Sequence, residues 1–295
     1  MRQELLVILD AAARMEKCVH EQGICPLLDR SLIAMLFLEP STRTRLSFEA
    51  AALRLGARTV SVSEAGSSSA AQGESLADMI RVVAGYADCI VLRQPRQGQA
   101  AAAAGLIRIP LINAGDGAGQ HPTQALLDLY TIRRELGALE SLKVAFVGDL
   151  KYGRTVHSLF YALLPFGPQY IFCAPRELEM PAHILEDSAK NRISVSQTQN
   201  LEDALQADVI YMTRIQKERF TDQEEYERLK DSFVLSRGLV ERINRDILIM
   251  HPLPRVNEIS EDVDGLARAA YFRQAQNGMY VRMALLALVL GADIP

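Results

Sequence analysis

The chain has 295 residues, more than a single hydrophobic core usually organises and a length that suits two domains. Its residues are 49% apolar and 23% charged, the composition of a soluble globular protein. The net charge of −4 gives no reason to expect nucleic acid or an anionic membrane as partner, and no apolar run approaches the roughly 20 residues that span a bilayer.

The opening segment, MRQELLVILDAAARMEK, has a helical period with charges interleaved. It lacks the long apolar core and cleavage site of a signal peptide, so a cytoplasmic location is expected. Cys18 and Cys25 are separated by six residues, and no second pair completes a zinc site. Cys89 and Cys173 stand in apolar, strand-like runs, which predicts buried free thiols and fits a reducing compartment.

Further along, SLIAMLFL, RTVSVS, DCIVLR and IPLIN predict one group of four strands. KVAFVGD, YIFCAP, ADVIYMT and DILIMH predict a second group of four. Helical patterns lie between them, and QAAAAAG reads as an Ala-rich helix. Continuous apolar strands separated by helices predict an α/β fold of two domains, each a parallel sheet flanked by helices. HPTQALLDLYTIRRELG reads as one helix ending at Gly137. The expected domains are therefore residues 1–136 and 137–269. The last helix, about 270–295, is too apolar to stand alone and is expected to pack back on the first domain. There is no solenoid-type repeat.

Ligands of such sheets bind beyond the carboxyl ends of the strands. After LFLEP comes STRTR, Ser41 to Arg45, at a helix start. Hydroxyls, fixed cations and free backbone N–H groups together suit phosphate, although an N-cap with two solvated arginines would read the same. Arg93 follows DCIVL, and AGDGAGQHPTQ places His121 and Gln124 at another helix start. In the second half, GDLKYGRTVHS is a glycine-bearing strand-to-helix turn that offers Arg154 but lacks the G-x-G-x-x-G spacing of dinucleotide sites. TRIQKERF offers Arg214, Gln216 and Arg219. HPLPRVNE holds a turn rigid with two prolines. Arginine pairs bidentately with carboxylate, so arginines in two strand-end loops suit a substrate with more than one carboxylate. The residues show no metal cluster, no nicotinamide fingerprint and no nucleophilic Ser or Cys with a base. They favour direct group transfer between two small anions, with no cofactor.

These motifs resemble the aspartate/ornithine carbamoyltransferase superfamily, and within it the catalytic chains that carbamoylate aspartate. STRTR, HPTQALLDLYTI, GDLKYGRTVHS, YMTRIQKERF and HPLPRVNEIS follow that family's order and spacing over nearly the whole chain. STRTR and HPxQ mark carbamoyltransferases in general, whereas GDLKYGRTVHS with TRIQKER points to aspartate as acceptor. The resemblance implies carbamoyl phosphate and L-aspartate as substrates, pyrimidine biosynthesis, and a homotrimer with active sites shared between subunits. It implies that Ser41, Thr42, Arg43 and Thr44 hold carbamoyl phosphate and that Arg93, His121 and Gln124 reach its phosphate, carbonyl oxygen and amide. Arg43, Thr44, Arg93 and His121 are implied to form the catalytic set. Arg154, Arg214 and Gln216 are implied to hold the aspartate carboxylates, and Pro252 and Leu253 to present backbone carbonyls. Glu39 resembles the residue that links the domains on closure, with Arg154 and Arg219 as partners. A regulatory or dihydroorotase partner stays open.

The sequence departs from the pattern in the polar stretch SEAGSSSAAQGES, Ser63 to Ser75. The resemblance implies that this loop enters a neighbouring subunit's site with a serine, here Ser68 or Ser69, and with a lysine directly before Gly-Glu. Here that residue is Gln72, and no lysine lies between Lys17 and Lys143, nor any arginine between Arg58 and Arg81. Relatives also carry a segment before the first helix that this sequence lacks, which bears on that helix's support. Three readings follow: an aspartate-carbamoylating enzyme with weakened or compensated catalysis, a carbamoyltransferase for another acceptor, and a non-catalytic scaffold or regulatory subunit.

Overall fold

Short runs of aliphatic and β-branched residues form parallel strands in the computed structural model, which describes residues 1–62, 74–117, 119–216, 220, 222–243 and 246–294. In chain order the first elements are α1 (Arg2–Gln22), β1 (Leu32–Phe37), α2 (Thr42–Arg54), β2 (Arg58–Val62), α3 (Leu76–Ala84), β3 (Cys89–Gln94), α4 (Gln99–Ala104), β4 (Leu111–Asp116) and α5 (Pro122–Leu136). Next come β5 (Lys143–Val147), α6 (Arg154–Leu163), β6 (Gln169–Cys173), α7 (Ala182–Lys190), β7 (Ser194–Thr198), α8 (Leu201–Ala204) and β8 (Val209–Met212). The chain closes with α9 (Gln223–Leu229), α10 (Arg237–Glu241), β9 (Leu248–Met250) and α11 (Tyr271–Val289). No helix among the described residues is long and apolar enough to cross a membrane.

The strands form two all-parallel sheets, ordered β2-β1-β3-β4 and β7-β6-β5-β8-β9. This is the α/β class that the apolar runs predict. The second sheet has a fifth strand, β7, that the sequence reading does not contain. Its segment SVSQT has no apolar run, and only Val195 and Thr198 are half-buried. At this edge of the sheet β7 has one neighbour and a mostly exposed, polar surface, so it lacks the continuous apolar pattern of the central strands.

The chain divides into two compact units. Unit 1 comprises Met1–Leu127 with Gln276–Pro295, and unit 2 comprises Asp128–Ala275. The later turns of α11 thus complete unit 1, where the Arg282 guanidinium lies 5.1 Å from the Phe48 ring centre and Tyr280 packs 6.1 Å from His20. In unit 2, Phe146, Phe160, Tyr170 and Tyr211 fill the space beside β5, with neighbouring ring centres 4.9–5.8 Å apart.

Cys89 and Cys173 are buried free thiols, and burial pushes both up to about 12. Cys18 and Cys25, which the sequence reading leaves without a bond, are disulfide-linked with Cα atoms 6.1 Å apart. The reducing compartment inferred from the buried thiols does not describe this pair. The bond closes the end of α1 onto the segment before β1.

Each sheet has one place where neighbouring strands are not neighbours in sequence order and the connections leave in opposite directions. In unit 1 that place is β1/β3, and in unit 2 it is β5/β8. In parallel sheets such places, beyond the carboxyl ends of the strands, are where ligands bind.

Candidate active site

In unit 1 the switch point gathers side chains from three elements. Ser41 precedes α2 in extended conformation and makes no side-chain capping bond. Thr42 and Arg43 are exposed on the first turn, and Thr44 is buried. Arg93 lies in register with Phe37 at the ends of β3 and β1. It is only 5% exposed, and a buried guanidinium needs partners. Its Nη2 lies 3.1 Å from Glu39 Oε2, its Nη1 donates to the Ala114 carbonyl at 3.3 Å, and Nη1 stands 3.5 Å from His121 Nε2. Gly115 makes this lie possible: at φ 128°, a Cβ there would stand 2.8 Å from Arg93 Nη1. His121 is buried ahead of α5, with Gln124 half-buried on its first turn. Asp116 accepts the Gly98 N–H at 2.9 Å and ties the end of β4 to the loop after β3. The cluster concentrates positive charge and N–H donors where an oxyanion or phosphate could be held.

In unit 2 the switch point is organised by a carboxylate with no exposure, Asp149. Gly148 precedes it at φ 111°, where a Cβ would lie 2.3 Å from the Thr213 carbonyl oxygen. The Asp149 N–H donates to Thr213 Oγ1 at 3.0 Å, and that hydroxyl donates to the Val147 carbonyl at 3.0 Å. Asp149 Oδ1 accepts the Tyr152 N–H at 2.9 Å, and Oδ2 accepts from Gln216 Nε2 at 3.3 Å. The loops after β5 and β8 are thereby joined, with half-buried Arg154 opening α6 and half-buried Arg214 two residues past β8. His157 Nε2, on α6, lies 2.7 Å from the Leu150 carbonyl and pins the same loop. Burial holds His157 below the usual imidazole range, opposed by that bond.

Beyond β9 the HPLPR turn places Pro252 and Leu253, both half-buried, with a cis peptide between Leu253 and Pro254. His251 and Glu258 are buried behind the turn, 2.6 Å apart. Arg255 pairs with Asp264 through both guanidinium ends and reaches the Tyr271 hydroxyl at 3.1 Å.

The structure therefore brings Glu39, Arg93 and His121 together in unit 1 and links Gln216 to the Arg154 loop in unit 2. Glu39 pairs with Arg93 here. Ser68, Ser69, Gln72 and Arg219 lie outside the described residues. Sequence reasoning passed over Asp149, Thr213, His251 and Glu258 as functional candidates. The first three stand at strand ends inside motifs, which is a usable signal. Glu258 closes the HPLPRVNE motif seven residues beyond His251, with nothing in the sequence to show that it faces that histidine.

Comparisons with known proteins agree along the whole chain. The family description "Aspartate/ornithine carbamoyltransferase, carbamoyl-P binding domain" matches residues 1–134, and "Aspartate/ornithine carbamoyltransferase, Asp/Orn binding domain" matches residues 140–289. The chain is similar to the aspartate carbamoyltransferase catalytic subunit of Methanocella arvoryzae, with 51% identity covering 99% of this chain and 95% of the relative. The corresponding subunit of Methanocaldococcus jannaschii is 52% identical over 97% of this chain and 93% of its own. Among solved structures, the M. jannaschii aspartate transcarbamoylase catalytic subunit superposes with a TM-score of 0.92 at 50% identity, covering 98% of this chain and 94% of that one. Trypanosoma cruzi aspartate transcarbamoylase in complex with N-(phosphonacetyl)-L-aspartic acid gives a TM-score of 0.90 at 39% identity, covering 97% and 92%.

Proposed function

The chain belongs to the aspartate/ornithine carbamoyltransferase family, and we propose that it carbamoylates L-aspartate. It is an enzyme that transfers the carbamoyl group of carbamoyl phosphate to the aspartate amine, giving N-carbamoyl-L-aspartate and phosphate, a step of pyrimidine biosynthesis. The near-full-length match to aspartate carbamoyltransferase catalytic subunits carries this reading.

Within it, unit 1 takes carbamoyl phosphate. Ser41, Thr42, Arg43 and Thr44 hold the phosphate at the start of α2, where backbone N–H groups and the helix dipole favour an anion. Arg93 reaches phosphate and carbonyl oxygen, His121 the carbonyl oxygen and Gln124 the amide. Unit 2 takes aspartate, with Arg154, Arg214 and Gln216 on its carboxylates and the carbonyls of Pro252 and Leu253 on its amine. The amine attacks the carbamoyl carbon and a C–N bond forms. Charge grows on the carbonyl oxygen facing Arg93, His121 and Thr44, which stabilise it as fixed donors. The C–O bond to phosphate then breaks, and phosphate leaves with the electron pair and takes up the proton that the nitrogen gives up. Glu39 carries the closure role that the resemblance assigns it, exchanging Arg93 for other partners when substrate arrives. The working protein is a cytoplasmic homotrimer, with Ser68 or Ser69 and Gln72 offered to a neighbour's site; a monomer in sedimentation at micromolar concentration would rule this out.

Gln72 in place of the family's lysine supports a second reading, a scaffold with little turnover. Steady-state assays with carbamoyl phosphate and aspartate, with ornithine as control acceptor, decide between them. Turnover with aspartate alone is expected. Gln72→Lys is expected to raise kcat/KM by ~10-fold, which needs only about 1.4 kcal/mol of added transition-state stabilisation. Wild type without turnover, and equal inactivity in a Gln72→Lys variant that still assembles, would favour the scaffold.

A further inference from the structure

The turn after β9 is held by hydrogen bonds whose direction can be read atom by atom. Glu258 Oε2 accepts the backbone N–H groups of Val256 and Asn257, both at 3.1 Å. Its Oε1 lies 2.6 Å from His251 Nε2. Burial alone would push the Glu258 carboxyl up, but the His251 and backbone bonds outweigh it and hold the group below the usual range. An ionised carboxylate only accepts, so Nε2 of His251 carries the proton. On the other side of the ring, Nδ1 stands 2.8 Å from the Leu253 nitrogen. An amide N–H only donates, so Nδ1 carries no proton. The two contacts define one state of His251: a neutral imidazole protonated on Nε2. Leu253 needs this hold, because its φ of 52° is a left-handed conformation that L side chains rarely adopt. The backbone of His251 is fixed as well, its N–H donating to Gln274 Oε1 at 2.9 Å.

We propose that His251, oriented by Glu258, is the positioning residue of the Pro252–Leu253 turn and thereby sets the affinity for the amino-acid substrate. The inference rests on the reading that this turn contacts aspartate. It makes that contact conditional on a proton: uptake at Nδ1 would set two N–H groups against each other at 2.8 Å and release Leu253.

The charged groups around His251 are Glu258, which favours the proton, and Arg255 in the turn and Arg214 after β8, which disfavour it; Gln274 from α11 is neutral. Burial is the largest influence and, with the two arginines, holds His251 below the usual imidazole value. The turn is therefore intact above about pH 6.5, the ordinary imidazole value, and loosens as pH falls through the lower folded value. The aspartate KM should be flat at neutral and alkaline pH and rise on the acid side, and the carbamoyl phosphate KM should not follow it.

His251→Ala, His251→Asn and wild type test this. In His251→Asn the amide oxygen can take the acceptor position of Nδ1 and does not titrate. His251→Ala is expected to raise the aspartate KM by ~10-fold or more, the scale of a lost buried hydrogen bond, with a smaller change in kcat and in the carbamoyl phosphate KM. Hydrogen exchange at the Leu253 amide should quicken in the same variant. His251→Asn should recover most of the affinity and lose the acid-side rise. Imidazole nitrogen NMR of the wild type at neutral pH should show the proton on Nε2. A proton on Nδ1, or unchanged Leu253 exchange in His251→Ala, overturns the inference. Faster exchange with an unchanged aspartate KM shows instead that the turn does not touch substrate, and the inference falls with that reading. If His251→Ala does not fold, His251→Asn and the wild-type tautomer decide the matter: an acid-side rise that persists in His251→Asn overturns it.

Discussion

Arg93 and Arg154 stand at corresponding places, each at the switch point of a parallel sheet, yet they are held by different means. Arg93 belongs to β3 itself, and its neighbour His121 stands just ahead of a helix. Backbone periodicity aims these side chains, and charge then meets charge directly, as in the Arg93–Glu39 pair. In unit 2 the cationic side chains follow turns after β5 and β8, and buried groups set behind the turns shape them. Asp149 is shared by the Tyr152 N–H and Gln216, Thr213 bridges β5 and β8, and His251 with Glu258 braces the turn after β9. A side chain on a strand or helix inherits its direction, whereas one on a loop needs polar contacts that are costly to leave unmade once buried. Mutations in unit 1 should therefore act on the chemical step, and mutations behind the loops of unit 2 should act on binding.

The largest expected effect is at Arg93. Arg93→Ala should lower kcat by ~1,000-fold, the scale of losing a donor to a developing oxyanion. Arg93→Lys should recover little, because an ammonium cannot reproduce the planar fork. A fall in kcat below tenfold in steady-state kinetics would mean that this charge does not face the reacting carbonyl.

Asp149→Asn is the counterpart in unit 2. The amide keeps the shape but replaces one acceptor oxygen with a donor, so either the Tyr152 or the Gln216 contact is lost. The aspartate KM should rise by ~10–100-fold, the value of one or two units of 1.4 kcal/mol for a buried bond to a charged group, with the carbamoyl phosphate KM nearly unchanged. Equal changes in both constants would erase the distinction between the two units.

The smallest effects sharpen it. Gly148→Ala drives a Cβ into the Thr213 backbone carbonyl, which cannot move without shifting β8, and should reduce stability by about 1–3 kcal/mol in denaturant melts. Gly115→Ala meets the end of the Arg93 side chain, which can swing away. It should cost less stability and more kcat. The reverse ranking would mean that the unit 1 cluster is as rigidly braced as the unit 2 loops.

The legible part of this protein follows from how each signal is written. Strand runs such as CIVL and VAFV are apolar without interruption because both faces are covered, and the charged residues and motifs stand directly after them, so strand and motif are read in one glance. β7 is not legible because its segment SVSQT has no such run. Asp149 was passed over because its contacts are neutral-looking in sequence: Gln216 and Thr213 lie 67 and 64 residues away. The Cys18–Cys25 bond was missed for a different reason, since nearness in sequence does not show whether two sulfurs face each other.

Residue order by itself determined the α/β class, the central strands and the types of charge at their ends, because each is a local pattern of hydrophobicity or of residues following a strand. Only the tertiary structure decided which of those ends become neighbours. The orders β2-β1-β3-β4 and β7-β6-β5-β8-β9 bring the end of β1 beside Arg93 and the end of β5 beside Arg214's loop. Strand order arises from hydrogen-bond pairing between segments far apart in the chain, and no single segment carries that information. The same is true of Glu258, whose charge means nothing until folding removes it from water and places His251 against it.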